Sequence, residues 1–103
     1  MPRLILKHNT DILSRYEIDE SKQMIYIGSE KDNDVVITDH QVANYHLVLK
    51  KQHGSYFVEA LTNTPNIYLN HRPLLQPAQI VHGDEIRIGN LSLMFDKLYR
   101  KIN

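Results

Sequence analysis

The stretch with the most obvious ligand chemistry is Asp32-Asn33-Asp34, three oxygen-bearing side chains followed by Val35 and Val36. Carboxylate and amide oxygens are the ligands that calcium prefers in proteins. A calcium loop of the common type also needs a glycine after its third ligand and a glutamate further along. Val35 stands where that glycine would be, so we do not expect a calcium site.

Histidine and serine are the next candidates for chemistry. The six histidines, at positions 8, 40, 46, 53, 71 and 82, lack the spacing of metal ligands on one helix, although a fold could still assemble a composite site. No serine lies in the sequence context of a hydrolase nucleophile, and the chain has no cysteine. We therefore expect no enzyme activity, no metal and no cofactor.

The elements that must position the polar residues are predicted from a hydrophobic period of two. Ile25 and Ile27 flank Tyr26, for example, and Leu91 and Leu93 are separated by Ser92. Short alternating runs are typical of β-strands. Turn sequences such as SEKDND, KKQHGS and VHGDE separate them at roughly the 8–12-residue spacing of a β-sandwich or barrel. This pattern predicts one all-β domain over residues 1–103.

Two local predictions follow from the end of the chain. Gly89-Asn90 separates two alternating runs and is expected to form a two-residue hairpin turn. Residues 95–103 have the only helical potential, so they either form a short helix or continue the last strand.

Composition limits the classes of partner. Twelve basic and twelve acidic side chains cancel, whereas a general nucleic-acid binder normally carries a basic excess. No segment has the length of a membrane span, and none has the apolar core of an export signal. We expect a cytoplasmic protein that binds other proteins, either complete in itself or one module of a longer chain.

The order of the motifs carries further information. The segment YIGSEKDNDVVITDHQVANYHLVL precedes YFVEALTNTPNIYLNHRPL, and VHGDEIRIGNLSLMF follows. From about Met24 to Phe95 this order resembles the forkhead-associated (FHA) domain, a reader of phosphothreonine peptides. The resemblance implies an FHA-type (SMAD/FHA-like) β-sandwich of two antiparallel sheets, with the first two strands supplied by the residues before Met24.

Some matched positions are expected to support loops. Gly28 permits a sharp exit from a strand, where a Cβ would clash or φ is positive. His46 is expected to tie loop backbones together through both ring nitrogens, as the family's histidine does. Asn70 is expected to hold the third turn, and Gly83-Asp84 to form a turn in which the aspartate bonds nearby backbone.

The departures fall at positions that contact phosphopeptide in the family. Ser29 replaces the loop arginine, Ala43 the phosphate-binding serine and Asn44 the basic residue after it. In the third turn Pro65-Asn66 replaces an asparagine-glycine pair, or else that turn is one residue shorter and Asn66 keeps the peptide contact. Four acidic side chains lie between Ser29 and Asn44 against the single Lys31, a net charge of −3.

These observations define a set of candidate peptide contacts. His40 or Arg72 would supply positive charge beside them. The candidates are Ser29, Lys31, Ala43, Asn44, Asn63, Thr64 and Asn66. A phosphate group requires converging cationic and neutral donors, so their loss favours an interaction module with weak or absent phosphothreonine dependence. Two alternatives stay open: a phosphothreonine reader with an altered pocket, and a structural domain that self-associates within a larger assembly.

Overall fold

The computed structural model describes residues 1–63 and 66–100, in which eleven strands form two sheets. The strands are β1 Arg3–His8, β2 Asp11–Glu17, β3 Met24–Gly28, β4 Val35–Val36, β5 Leu47–Gln52, β6 Ser55–Ala60, β7 Ile67–Leu69, β8 Arg72–Pro73, β9 Ala78–Ile80, β10 Glu85–Ile88 and β11 Leu91–Asp96. The all-β prediction is confirmed. The Gly89-Asn90 hairpin is also present, with Ile88 paired to Leu91 and Gly89 at φ 58°.

The two sheets pack with the alternating apolar side chains between them. One sheet has the strand order β2-β1-β11-β10-β7-β8, and the other has the order β4-β3-β5-β6-β9. On β11, Leu91, Leu93 and Phe95 are buried, while the residues between them point away from the core. The rings of Phe95 and Tyr56, from opposite sheets, pack edge to face with 5.4 Å between their centroids. The fold is therefore a β-sandwich.

The prediction that both sheets are antiparallel is wrong for one pair. Strands β3 and β4 run parallel, with Ile27 opposite Val35 and Gly28 opposite Val36. A parallel connection normally needs a long crossover, but here only two residues of each strand pair. The loop between them doubles back because the Asp34 N–H donates to the Tyr26 carbonyl (3.0 Å) and Ile37 N–H to that of Gly28 (2.9 Å).

The alternative of a C-terminal helix is wrong for the residues that the structure describes. Strand β11 ends at Asp96, and residues 97–100 form no helix; residues 101–103 lie outside the described part. Arg3 donates to the Asp96 carboxylate (2.9 Å) and its guanidinium lies 4.0 Å from the centroid of the Tyr99 ring. These contacts hold residues 97–100 beside β1. A short isolated helix would gain too few hydrogen bonds to offset the free-energy cost of its first turn. No helix in residues 1–63 and 66–100 is suited to crossing a bilayer.

Candidate functional site

The loops between strands meet at one end of the sandwich, which we call the loop tip and define by residues 28–34, 37–46 and 61–63. Backbone hydrogen bonds join these loops directly. Ser29 N–H donates to the Ala43 carbonyl (3.0 Å), and Leu61 N–H donates to the His46 carbonyl (2.8 Å). The candidate contacts on three separate stretches of sequence are thus brought together by the sheet ladder beneath them.

Gly28 is required by the close approach of two loops. A Cβ at this position would lie 2.1 Å from the backbone oxygen of Asn44, well inside contact distance. Gly28 is not among the residues with positive φ, so crowding rather than backbone conformation excludes a side chain. The Asn33 side chain fastens the same crossing, because its Nδ2 donates to the carbonyls of Glu30 and Asn44 (both 2.8 Å).

His46 is completely buried behind the tip. Its ring Nδ1 accepts the backbone N–H of Ala43 (2.9 Å), and the backbone N–H of His46 donates to the Ile27 carbonyl (2.9 Å). The expectation that both ring nitrogens bond loop backbone is wrong, because Nε2 is buried without a hydrogen-bond partner among the described residues. Burial disfavours the charged ring and lowers the pKa of His46 below its usual 6.5.

Two of the residues at the family's phosphate-contact positions are hydrogen-bonded to each other. The Ser29 hydroxyl donates to Asn44 Oδ1 (3.3 Å), and Ala43 between the two loops offers no hydroxyl. Nearby backbone donors are used as well: Glu30 N–H donates to the Asn44 carbonyl (3.3 Å), and Ala43 N–H is held by His46. The Ser29 hydroxyl and these two backbone N–H groups are therefore not free to bind an anion.

The outer rim of the tip is aromatic and acidic. The Tyr45 hydroxyl donates to both carboxylate oxygens of Asp32 (2.8 and 2.9 Å), which raises the pKa of Tyr45. Tyr45 remains 45% exposed beside the Asp32 carboxylate, and Leu61, in another loop of the tip, is 42% exposed. Lys31 is exposed on the same loop.

Two of the four tip carboxylates have local structural roles. Lys22 from the β2–β3 loop pairs with Asp34, whose other oxygen accepts the Tyr26 N–H (2.8 Å). Partial burial opposes ionisation, but these two hydrogen bonds outweigh it and lower the pKa of Asp34. The Gln41 N–H likewise lowers the pKa of Asp39 by donating to it (2.9 Å). Lys22 thus offsets the charge of Asp34, whereas Asp39 accepts from a neutral group and keeps its negative charge.

The remaining candidate contacts are only partly assembled. Asn63 and Asn66 are exposed near the tip, and the Asn66 carbonyl accepts the Gly89 N–H (3.4 Å). Thr64 and Pro65 lie outside the described residues. His40 is exposed, beside Asp39 (3.6 Å).

Arg72 is not brought to the tip. Arg72 is on β8 and pairs with Leu69, the last residue of β7. Asn66 precedes the other end of β7, so the two residues lie at opposite ends of that strand. Within residues 1–63 and 66–100, no three side chains of the metal-binding types gather into a site.

Asn70 and Asp84 support the opposite end of the molecule rather than the third turn. Asn70 Nδ2 donates to Asp84 Oδ1 (2.8 Å), and its Oδ1 accepts the Glu85 N–H (3.0 Å). The other Asp84 oxygen accepts the Val81 N–H (2.8 Å), and Gly83 turns the chain with φ 89°. These residues tie the β7–β8 and β9–β10 turns together.

Sequence reasoning missed the part played by Gln41. Its Oε1 accepts the Asn90 N–H (2.9 Å), which fastens the loop before β5 to the β10–β11 turn. A long polar side chain in a loop gives no signal of a partner 49 residues away. Tyr45 was also absent from the predicted contacts, although a large aromatic residue between polar loop residues is a detectable signal.

Comparison with known proteins identifies related domains. The family model described as FHA domain matches residues 25–89. The glycogen accumulation regulator GarA of Mycolicibacterium smegmatis is 26% identical over 92 residues, which cover 89% of this chain and 56% of that protein. FhaB of Mycobacterium tuberculosis is 27% identical over 73 residues, covering 71% of this chain and 47% of its own length. The chain therefore spans about half the length of the curated relatives it matches.

Solved structures share the fold at low sequence identity. Mycobacterium tuberculosis EmbR, in complex with a low-affinity phosphopeptide, superposes with a TM-score of 0.81 at 20% identity, covering 99% of this chain and 26% of that one. An FHA domain from Chlamydia trachomatis gives a TM-score of 0.81 at 15% identity, covering 95% and 98% of the two chains. These superpositions show that the fold is shared.

Proposed function

Because the chain belongs to the FHA domain family, we propose that it is a non-catalytic protein–protein interaction module with weak or absent phosphothreonine dependence. Two structural neighbours suggest the kind of partner: EmbR has been solved with a low-affinity phosphopeptide, and another neighbour comes from a structural and functional analysis of phosphothreonine-dependent FHA domain interactions. The proposed role of this chain is that of a signalling or scaffold module in the cytoplasm.

The observation that carries the proposal is the hydrogen bond between Ser29 and Asn44, next to Ala43 in the sequence, which has no hydroxyl. A phosphate dianion is bound by several donors that converge on it, usually including a guanidinium. Here the Ser29 hydroxyl is bonded to Asn44 Oδ1, and no arginine or lysine stands at any of the three positions.

The size of the effect supports a large loss of phosphate affinity. A hydrogen bond to a charged group contributes about 1.5–3 kcal/mol. Replacing an arginine and a serine removes at least two such bonds, about 3–6 kcal/mol, which corresponds to roughly two to four decades in Kd. A loss of that size turns a micromolar phosphate site into one too weak to direct partner choice.

The same tip offers another kind of contact. Tyr45 is exposed and held in place by Asp32, and Leu61 is an exposed apolar residue in another loop of the tip. Tyrosine is enriched at protein interfaces, where its ring packs on a partner with little loss of side-chain entropy. Glu30 and Asp32 border this surface, so a neutral or basic segment suits it better than a phosphorylated one.

The test compares threonine-phosphorylated peptide libraries with their unphosphorylated twins, with binding followed by fluorescence anisotropy. We expect the two members of each pair to bind within a few-fold of each other. A matched gain-of-function variant that carries Ser29→Arg and Ala43→Ser should bind the phosphorylated members at least about tenfold more tightly than the parent, because it restores a cation and a hydroxyl.

Selective binding of phosphopeptides by the unmodified protein at low micromolar Kd or better would contradict the proposal. If Asn44→Ala or Asn66→Ala then abolished that binding, the protein would be a phosphothreonine reader with an altered pocket. The two variants thus separate the alternatives by direct measurement.

A further inference from the structure

The outer face of the six-stranded sheet carries a row of polar side chains that is separate from the loop tip. Cross-strand register places Lys7 opposite Ser92 and Ser92 opposite Arg87. Because Leu6 and Leu93 point into the core, these three neighbours point outward. Side chains directly opposite each other on one face lie within reach of a common small ligand. A serine hydroxyl is therefore flanked by two cations.

This row borders a concave site of about 230 Å³, which we call the face pocket. The face pocket is lined by Asn9, Asn70, His71, Glu85, Arg87, Asn90 and Ser92. A cavity of only about 10–15 Å³ holds a single water, so the pocket has room for a small polyatomic group. The lining consists of polar side chains, which suits a hydrophilic ligand.

Most of these side chains have hydrogen-bonding groups to spare. Arg87 Nε donates to the Gly89 carbonyl (3.1 Å), which fixes the orientation of the guanidinium. Within residues 1–63 and 66–100, the two terminal amino groups of Arg87 make no hydrogen bond or ion pair. The same holds in that part of the chain for the side chains of Asn9, Asn90 and Ser92. The pocket thus combines a held cation with uncommitted donors.

The balance of charge also favours an anion. Glu85 is the carboxylate in the face pocket, and Lys7 lies 3.5 Å from it. With that pair neutralised, the guanidinium of Arg87 leaves a net charge of +1. A planar guanidinium with free amino groups matches the paired oxygens of phosphate and carboxylate groups.

We propose that the face pocket binds a compact oxyanion, the phosphate or carboxylate group of a partner's side chain, through Arg87, Ser92 and the neighbouring asparagines. The site is distinct from the tip, so its existence does not depend on how the tip binds its partner. A partner that contacts both surfaces would place a neutral or basic segment at the tip and an acidic group on the sheet.

The experiment is a titration followed by amide chemical shifts, with inorganic phosphate, N-acetylphosphoserine amide and N-acetylaspartate amide as probes at constant ionic strength. Sodium chloride alone serves to subtract ionic-strength effects. We expect saturable shifts concentrated at Lys7, Arg87, Asn90 and Ser92. Saturation by only one of the two amino-acid amides would assign the pocket to phosphorylated or to acidic side chains.

The matched variants are Arg87→Gln and Arg15→Gln. Arg15 lies opposite Ile5 on the same outer face, is exposed and lies outside the pocket lining, so its replacement changes the net charge equally. Arg87→Gln should weaken binding by about tenfold or more, and Arg15→Gln by less than about twofold. Lys7→Gln provides a second variant and should weaken binding too, since it leaves Glu85 unpaired.

Three results would overturn the proposal: no saturable shifts with any probe, shifts centred on the tip residues Ser29 and Asn44, or equal effects of Arg87→Gln and Arg15→Gln. The dispersion of the amide spectrum shows in the same samples that each variant is folded.

Discussion

At the scale of single residues, the tip keeps its internal supports and lacks the side chains that bind phosphate. Gly28 and His46 stand where the family resemblance puts them, and each holds two loops against each other. Ser29 and Ala43 stand at the contact positions and offer no positive charge. Support and ligand binding thus rest on different side chains, so one can change without the other.

The burial of His46 makes stability depend on pH. The folded-state pKa lies below the unfolded value of 6.5, so between the two values the unfolded chain binds one more proton. Stability due to this group is fully present above pH 6.5 and is lost as pH falls toward the folded pKa. We expect a slope approaching about 1.4 kcal/mol per pH unit within that window.

The measurement is urea unfolding at closely spaced pH values from 7.5 downward, for the parent and for His46→Gln. The variant should lose the slope just below pH 6.5. The carboxylates with lowered pKa, Asp19, Asp34 and Asp39, begin to contribute only near their usual value of 3.8. An equal slope in both proteins would show that His46 is not the group responsible.

At the scale of elements, the loops are joined across the sandwich by single side chains. Gln41 reaches from the loop before β5 to the β10–β11 turn, where its Oε1 would lie 2.1 Å from a Cβ added to Gly89. Gly89 also has φ 58°, which disfavours other residues. The turn therefore depends on the absence of a side chain for two separate reasons.

A double-mutant cycle separates those two reasons. Gly89→Ala should lower the free energy of unfolding by about 1–2 kcal/mol for the left-handed backbone alone, and by more where the methyl group displaces Gln41. In a Gln41→Ala background only the backbone cost remains, so Gly89→Ala should cost less there. Urea unfolding of the four proteins gives the coupling energy, and additive effects would argue against the steric contact.

At the scale of the whole molecule, the longest exposed edge is β2, at the side of the six-stranded sheet. It carries Ile12 and Leu13, which are 47% and 54% exposed. Its pairing with β1 shifts register between Leu6 and Lys7, so that Leu13 has no partner residue. Bulges and charged residues on an edge hinder pairing with another chain, and Arg15 is one such charge.

We therefore predict that the protein is monomeric at concentrations of several hundred micromolar. Light scattering coupled to size exclusion should give the mass of one chain, 12.1 kDa. A dimer that Leu13→Lys converted to monomer would instead support the self-associating alternative through β2. Leu75→Lys, at an exposed apolar residue in the β8–β9 loop, is the matched control.

The sequence by itself determined the class of fold and the identity of the residues at the tip. Alternation at positions such as Leu91, Leu93 and Phe95 depends only on which face of a strand is buried, so it is readable locally. The order of the loop motifs also indicated the family to which the domain belongs. The replacements at Ser29 and Ala43 are visible in the sequence because they are changes of residue type.

Only the tertiary structure decided how those residues are bonded. The parallel pairing of β3 with β4, the Ser29–Asn44 hydrogen bond and the reach of Gln41 to Asn90 all join residues distant in sequence. The row Lys7, Ser92 and Arg87 likewise exists only in the register of three strands. Such contacts follow from the packing of whole sheets, which no local pattern of residues encodes.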